Sequence, residues 1–340
     1  MSTRVTSLQV AERAGVSQSA VSRVFTKGAS ASSATEAKVR KAAEELGYSP
    51  NILARSIKTG RSRIIGLVVA YLDNYFYPEA LEKLSKVLQE RGYHVLIFMA
   101  GNTADNIDQV MQEILDYQVD GIIVASVALS SDLAQKCSDA NVPVVMFNRK
   151  QNQANVGSVT STNFAGGIKV ANFLVAHNPK RIGYIAGWEG ASTQRDREAG
   201  FVRQLAKHGR EIDARLVGNF RRDETKEAAR AMFDRPDRPD AVFVANDHMA
   251  FFVLDVLRGE LGLQVPKDVM VVGYDDVPPA AWPAYDLTTI RQPANRMVAA
   301  TVEMLLDTIE QGHPCTTDIE IDSPLIIRGT APAPTGWNNT

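Results

Sequence analysis

Arg197, Asn246 and Asp275 each follow an apolar stretch that reads as a strand, and together they suit a polyol. Arginine offers paired donors to adjacent hydroxyls, aspartate paired acceptors, and asparagine one of each; the Phe220 ring adds a face for sugar C–H groups. Phe76 and Tyr77, in the aromatic run Asp73-Asn-Tyr-Phe-Tyr77, and Arg149, in Asn148-Arg149, follow two other strands. A nucleobase is the competing ligand, since two rings could sandwich it while Arg149 bonds its edge. Three competing roles stand beside these: Asp275 as a cap for the next helix, Phe220 as core, and Tyr77 packed on its own helix. A second group lies near the start of the chain. Gln18, Ser19, Ser22 and Arg23 fall on one polar helical face, with Ser17 at its head. Such a short face with one arginine suits base edges, where a guanidinium bonds guanine O6 and N7 together.

Other chemistries lack their residues. Ile65-Gly66 is followed by Leu-Val-Val, not by a dinucleotide-binding glycine pattern, and no P-loop or nucleophile elbow occurs. The five histidines are scattered, and Cys137 and Cys315 have no metal-ligand spacing, so neither metal nor cofactor is expected. Asp275-Asp276 makes a poor hydrolytic pair because neighbours in extended chain point apart. The expectation is a protein that is not an enzyme.

These side chains must be placed by a regular scaffold. Apolar runs at 64–70, 94–100, 121–125, 142–147, 181–186, 241–245 and 269–272 read as buried strands. Helical stretches at 78–91, 106–117, 165–177 and 250–261 separate several of them. Such alternation predicts parallel sheets covered by helices, and so many units predict two α/β subdomains with ligands at the carboxyl ends of the strands. The Gln- and Asn-rich stretch 150–157 is the expected crossover, and the loop after 181–186 leads into Ser192–Phe201.

The first 63 residues differ in charge. Met1 to Arg63 holds 11 Lys and Arg against 4 Glu, net +7, while the remainder holds 26 bases against 35 acids, net −9. A basic head on an acidic body predicts that the head alone meets a polyanion. Within it, a helix capped by Thr6 or Ser7 and ended by Gly15, a turn at Val16-Ser17, a second helix at 18–25 with Val21, Val24 and Phe25 inward, and a third at 33–46 closed by Gly47 match the helix-turn-helix plan.

Four segments make the pattern specific. Val10-Ala-Glu-Arg-Ala-Gly-Val-Ser17, Ala20-Val-Ser-Arg-Val24, Gly47-Tyr-Ser-Pro-Asn51 and Ala54-Arg-Ser-Ile-Lys-Thr-Gly60 resemble the LacI/GalR family of transcription regulators, and the likeness continues to about Gly329. The resemblance implies an all-α helix-turn-helix DNA-binding domain at 5–50, a hinge helix and linker at 51–63, and an effector-binding and dimerisation core at 64–330. That core would be two interleaved, doubly wound parallel-sheet subdomains like periplasmic sugar-binding proteins, with crossings near Ser161, Arg291 and Asp322 and a tail at 331–340. It implies DNA contacts from Ser17, Gln18, Ser19, Ser22, Arg23, Asn51, Ala54 and Ile57, the last being the minor-groove wedge, where Leu is usual. It also implies effector contacts from Phe76, Tyr77, Arg149, Arg197, Phe220, Asn246 and Asp275. The partners expected are a pseudo-palindromic double-stranded operator, a carbohydrate effector and a second copy of the chain, since the tail lacks the heptads of tetrameric relatives. No apolar leader or run of about 18 apolar residues suggests export or a membrane span, so a cytoplasmic protein is expected. A periplasmic sugar-binding protein and a purine-responsive regulator are the alternatives. Thr162, Val298 and Tyr75 depart from the family pattern; Thr162 and Tyr75 sit near the pocket and bear on the effector, not the fold.

Overall fold

The computed structural model describes residues 5–26, 29–49, 61–100, 104–127, 131–151, 156–312 and 316–337. The chain divides into two compact units, Met1–Ser62 and Arg63–Thr340.

The smaller unit holds α1 (Ser7–Ala14), α2 (Gln18–Val24) and α3 (Ser33–Leu46). Each start is capped by a nearby side chain: Thr6 forms a reciprocal box with Gln9, Ser17 accepts from the Ala20 amide, and Ser32 from the Thr35 amide. Gly15 and Gly47 end α1 and α3 in the left-handed conformation. Val10, Ala11, Val21, Val39, Ala42 and Ala43 form the core, with Val24 and Phe25 packed at its edge and Phe25 against Tyr48.

The larger unit contains two six-stranded sheets. The first runs β11-β5-β4-β3-β1-β2 and the second β12-β10-β9-β8-β6-β7; the pairings are parallel except for β12 on β10. The first sheet comprises β1 (Ile64–Val69), β2 (His94–Met99), β3 (Gly121–Ala125), β4 (Val144–Phe147), β5 (Gly157–Ser161) and β11 (Asp318–Ile321). The second comprises β6 (Ile182–Ala186), β7 (Ala214–Val217), β8 (Ala241–Val244), β9 (Met270–Asp275), β10 (Thr288–Arg291) and β12 (Leu325–Ile326). Central strands such as β1 and β3 are buried at every position, as expected where helices cover both faces, whereas β2 at the edge leaves Ile97 and Met99 half exposed. The helices are α4 (Phe76–Glu90), α5 (Ala104–Asp116), α6 (Ser131–Asp139), α7 (Asn163–Ala176), α8 (Ser192–Lys207), α9 (Arg222–Phe233), α10 (Asp247–Asp255) and α11 (Ala294–Gln311).

The chain passes between lobes after β5, after β10, and between β11 and β12. The crossover expected at 150–157 is therefore corrected: Gly157 opens β5, still in the first sheet, and the crossing comes after Ser161. Polar Gly-Ser-Val-Thr-Ser161 lacks the apolar run that marks other buried strands, so its sequence does not announce a strand. The helix expected to start at 78 begins two residues earlier, so Phe76 and Tyr77 of the aromatic run open α4, and Ser192–Phe201 forms the first turns of α8. No helix among the described residues is long and apolar enough to cross a membrane.

Candidate functional site

In each sheet the strand order reverses beside the first strand of the lobe. β1 lies between β2 and β3, and β6 between β7 and β8, which opens a crevice at their carboxyl ends. The backbone marks these ends. Ser126 after β3, Asn148 after β4, Asn219 and Phe220 after β7, and Asp275 and Asp276 at the end of β9 all adopt positive φ. Asn and Asp enter that region readily, whereas Ser126 and Phe220 are held there by their surroundings.

Arg197, on α8, is 3% exposed, and each of its three nitrogens donates one hydrogen bond. Its Nε donates to Asn163 Oδ1 at 2.9 Å, Nη1 to the Ala245 carbonyl at 2.6 Å and Nη2 to Asp275 Oδ1 at 3.3 Å. Its guanidinium also lies 3.6 Å from the centre of the Tyr274 ring. This position depends on close helix packing. An ideal Cβ at Gly167 would meet the Arg197 carbonyl oxygen at 2.1 Å, and one at Gly200 the Phe164 carbonyl oxygen at 2.0 Å, so α7 and α8 touch backbone to backbone.

Asp275 is 4% exposed and also accepts from Gln292 Nε2 at 2.7 Å. It does not cap the 3₁₀ turn at 278–281, which starts at Val277 without a side-chain cap. The capping residue is Asn246, whose Oδ1 accepts from the Met249 amide at 3.0 Å at the start of α10. Beside it Asp247 accepts from Thr289 Oγ1 at 2.6 Å and from the Val277 amide at 3.1 Å. Burial raises both carboxyls above the ordinary range. At Asp247 the charge of Asp275 adds to the effect, while at Asp275 the Arg197 guanidinium opposes it.

Phe220 is half buried, and its left-handed backbone lays the ring across Gly187, where an ideal Cβ would meet Phe220 Cε1 at 2.0 Å. The two aromatics of the first lobe are placed differently. Phe76 is 3% exposed and stacked on Phe147 with ring centres 6.1 Å apart, so its face is taken by the core. Tyr77 is buried edge-on to Tyr71 at 5.3 Å. Tyr71 is the residue that stands just past β1. Burial is the main cause of its raised phenol pKa; the Tyr77 phenol and Asp275 add to it and the Arg149 charge opposes them.

Arg149 bridges the lobes: its Nη1 donates to Thr193 Oγ1 on α8, and the next amide, of Lys150, donates to Ser192 Oγ at 3.0 Å. Across the same opening His248 Nε2, at the start of α10, lies 3.9 Å from Asp73 Oδ2. Burial lowers the pKa of that imidazole, against the pull of Asp73. Sequence reasoning did not single out Tyr71, Thr193, Tyr274, Asp247, His248 or Gln292. Adjacency to a strand end could have found Tyr71, Asp247 and Gln292.

In the smaller unit Ser17, Gln18, Ser19, Ser22 and Arg23 are all exposed. Ser17 is spent on its cap and lies 2.9 Å from Ser19 Oγ, and Gln18 Nε2 donates to Ser7 Oγ at 2.9 Å. Arg23 has no carboxylate within 4 Å among the described residues, unlike Arg13 and Arg40, which pair with Glu45 and Glu36. Asn51, Ala54 and Ile57 lie outside the described residues. No group of three metal-ligating side chains occurs among those described.

Comparison with known proteins agrees with this division. Residues 8–51 match the family model described as bacterial regulatory proteins, lacI family, and residues 171–331 match a periplasmic binding protein-like domain. A protein of Vibrio vulnificus (strain CMCP6) named HTH-type transcriptional repressor PurR is 30% identical over 324 residues, covering 94% of this chain and 97% of its own length. A protein of the same name from Serratia proteamaculans (strain 568) is 31% identical over 323 residues, 94% of each chain. Among solved structures, a Lac repressor dimer bound to operator and the anti-inducer ONPF superposes with a TM-score of 0.86 at 27% identity, covering 97% of this chain and 100% of that one. A complex of the transcriptional regulator CelR with cellobiose gives 0.72 at 30% identity over 96% and 100%.

Proposed function

The chain belongs to the lacI family of bacterial regulatory proteins, and from that premise we propose that it is a cytoplasmic, homodimeric repressor whose operator affinity is set by a sugar or sugar derivative bound between its lobes. Residues 5–50 read the operator, 51–63 form the hinge, 64–330 bind effector and partner, and no reaction is assigned to any of them. Ser17, Gln18, Ser19, Ser22 and Arg23 face the major groove; Asn51, Ala54 and Ile57 serve the hinge, with Ile57 as wedge.

The observation that carries the regulatory reading is the pair of hydrogen bonds from Arg149 and Lys150 across to Thr193 and Ser192. A ligand that engages Arg149, Arg197, Asn246 and Asp275 together changes how the lobes are held. It thereby biases the hinge segments by its different affinity for the two arrangements. Phe220 offers the stacking face, and Tyr77 with Phe76 backs the first-lobe wall.

A polyol suits the charged pair Arg197–Asp275 better than a flat ring does, and the CelR complex holds a saccharide. The purine alternative draws on the name PurR carried by relatives near 30% identity. A thermal-shift panel on the full chain, with mono- and disaccharides against hypoxanthine and guanine, separates the two. The expected result is a saccharide that raises the melting temperature and changes the gel shift of an operator selected from random duplexes. A response to a purine alone overturns the sugar reading.

A further inference from the structure

We infer that the effector carries an anionic group, a carboxylate or a phosphate ester, received between the Arg149 guanidinium and the N-terminus of α8. This rests on the reading that the effector lies between the lobes.

Arg149 and Arg197 are the two buried cations among the described residues, and they are treated oppositely. Arg197 has a carboxylate and two further oxygens as partners. Arg149, only 5% exposed, has one hydroxyl partner on Thr193, an Nε with none, and no carboxylate within 4 Å among the described residues. A guanidinium cannot shed its proton to escape burial, so its charge stays unpaired unless a ligand supplies an anion. The groups electrostatically coupled to it do not do so. Tyr71 is kept a neutral phenol, and Asp275 is already shared by Arg197 and Gln292. Lys150, the next residue, is paired with Asp318 and Glu320.

The helix that Arg149 touches points to the same ligand. α8 runs for 16 residues, its first turn contains no acidic residue, and Ala191 at its head gives no side-chain cap. Its free amides and dipole favour negative charge, and Arg149 is bonded to the second residue of that turn. A fixed cation and an uncapped helix start thus converge from opposite lobes. A neutral sugar or a purine would leave both without a counter-charge, while an anion would satisfy both and hold the lobes together.

The test uses the full chain. It is melted in sodium phosphate and in sodium chloride at equal ionic strength, then titrated calorimetrically with glucose, cellobiose, gluconate, glucuronate and glucose 6-phosphate. The wild type should be stabilised by phosphate over chloride, Arg149→Gln should lose that difference, and Arg149→Lys should keep part of it. Arg149→Met serves as a second neutral variant should the glutamine fail to fold. Arg149→Gln should weaken the anionic ligand roughly 10–100-fold, the span of a charge-assisted bond, and weaken neutral sugars by a smaller factor. Preference for gluconate or glucuronate identifies a sugar acid; preference for glucose 6-phosphate identifies a phosphate ester. Equal phosphate stabilisation of wild type and Arg149→Gln overturns the inference. So does binding of gluconate, glucuronate and glucose 6-phosphate that is no tighter than that of glucose and depends on Arg197 but not on Arg149, a result that leaves the cleft itself standing. Response to a purine with no response to any sugar, charged or neutral, removes the sugar reading instead, and the phosphate melts still decide the anion site.

Discussion

In the proposed function Arg197 joins effector binding to folding in one side chain, so its substitution acts on both. Arg197→Ala removes a ligand contact and also strands Asn163 Oδ1, the Ala245 carbonyl and Asp275 in a buried site. Breaking such a buried pair costs about 3–5 kcal/mol, so a lower denaturant midpoint should accompany an effector affinity reduced about tenfold or more. Loss of affinity with no loss of stability would mean that the guanidinium is not held as described. Asp247 makes a pH prediction. In the unfolded chain its carboxyl ionises near pH 4, whereas burial in the folded chain raises it. Above pH 4, until the folded group also ionises, the folded state binds the extra proton and stability falls as pH rises. Melting curves at pH 5 and 7.5 should therefore differ less in Asp247→Asn than in wild type; an unchanged slope would place the titration elsewhere. In the head, Arg23→Ala should lose about 1–3 kcal/mol on the operator and relax one base pair per half-site. Affinity for random DNA should hardly move, because phosphate contacts dominate it. Equal losses on both would remove the base-reading role.

Helix α8 carries Arg197, Ser192 and Thr193; Phe201 and Leu205 anchor it in the core, and two glycines set how closely it approaches α7. The carbonyl of Arg197 occupies the space that a Cβ at Gly167 would fill, and the carbonyl of Phe164 does so at Gly200. Backbone atoms cannot swing aside as a side chain can. Gly167→Ala should therefore cost about 1–3 kcal/mol through overpacking and force α8 outward. Since that shift moves Arg197 from Asp275, effector affinity should drop with stability, whereas a change on the far face of α7 would lower stability alone. Urea melts with calorimetry on the same samples distinguish the two outcomes.

Across the whole chain, the proposed regulation couples core and head through the hinge assigned to 51–63, and the substitutions that probe this differ from those in the cleft. Ile57→Gly adds backbone freedom and removes the proposed wedge, so operator affinity and DNA bending should fall while effector affinity remains that of the parent. A bending gel shift giving the parental angle would exclude intercalation. Thr193→Val, by contrast, removes the acceptor of the Arg149 bond across the lobes. It should alter the effector's influence on operator affinity more than operator affinity itself.

Much of this was legible in the sequence because it depends on local rules. The caps at Thr6 and Ser17, the glycines ending α1 and α3, and the apolar runs of β1, β3, β4 and β8 act within a few residues and need no partner to be recognised. The placement of Arg197, Asn246 and Asp275 past strands came from the alternation of elements, since parallel sheets gather their carboxyl ends. What those side chains touch was decided by the tertiary structure alone. Asn246 rather than Asp275 became a cap, Phe76 gave its ring to Phe147, and Tyr71 packed edge-on to Tyr77. A strand-end position fixes where a backbone arrives, but the direction of each side chain is set by packing between residues far apart in the chain. The lobe-spanning bond from Arg149 to Thr193 is of that kind. No periodicity encodes it, because its two ends belong to different lobes, brought together only when the chain has crossed between them.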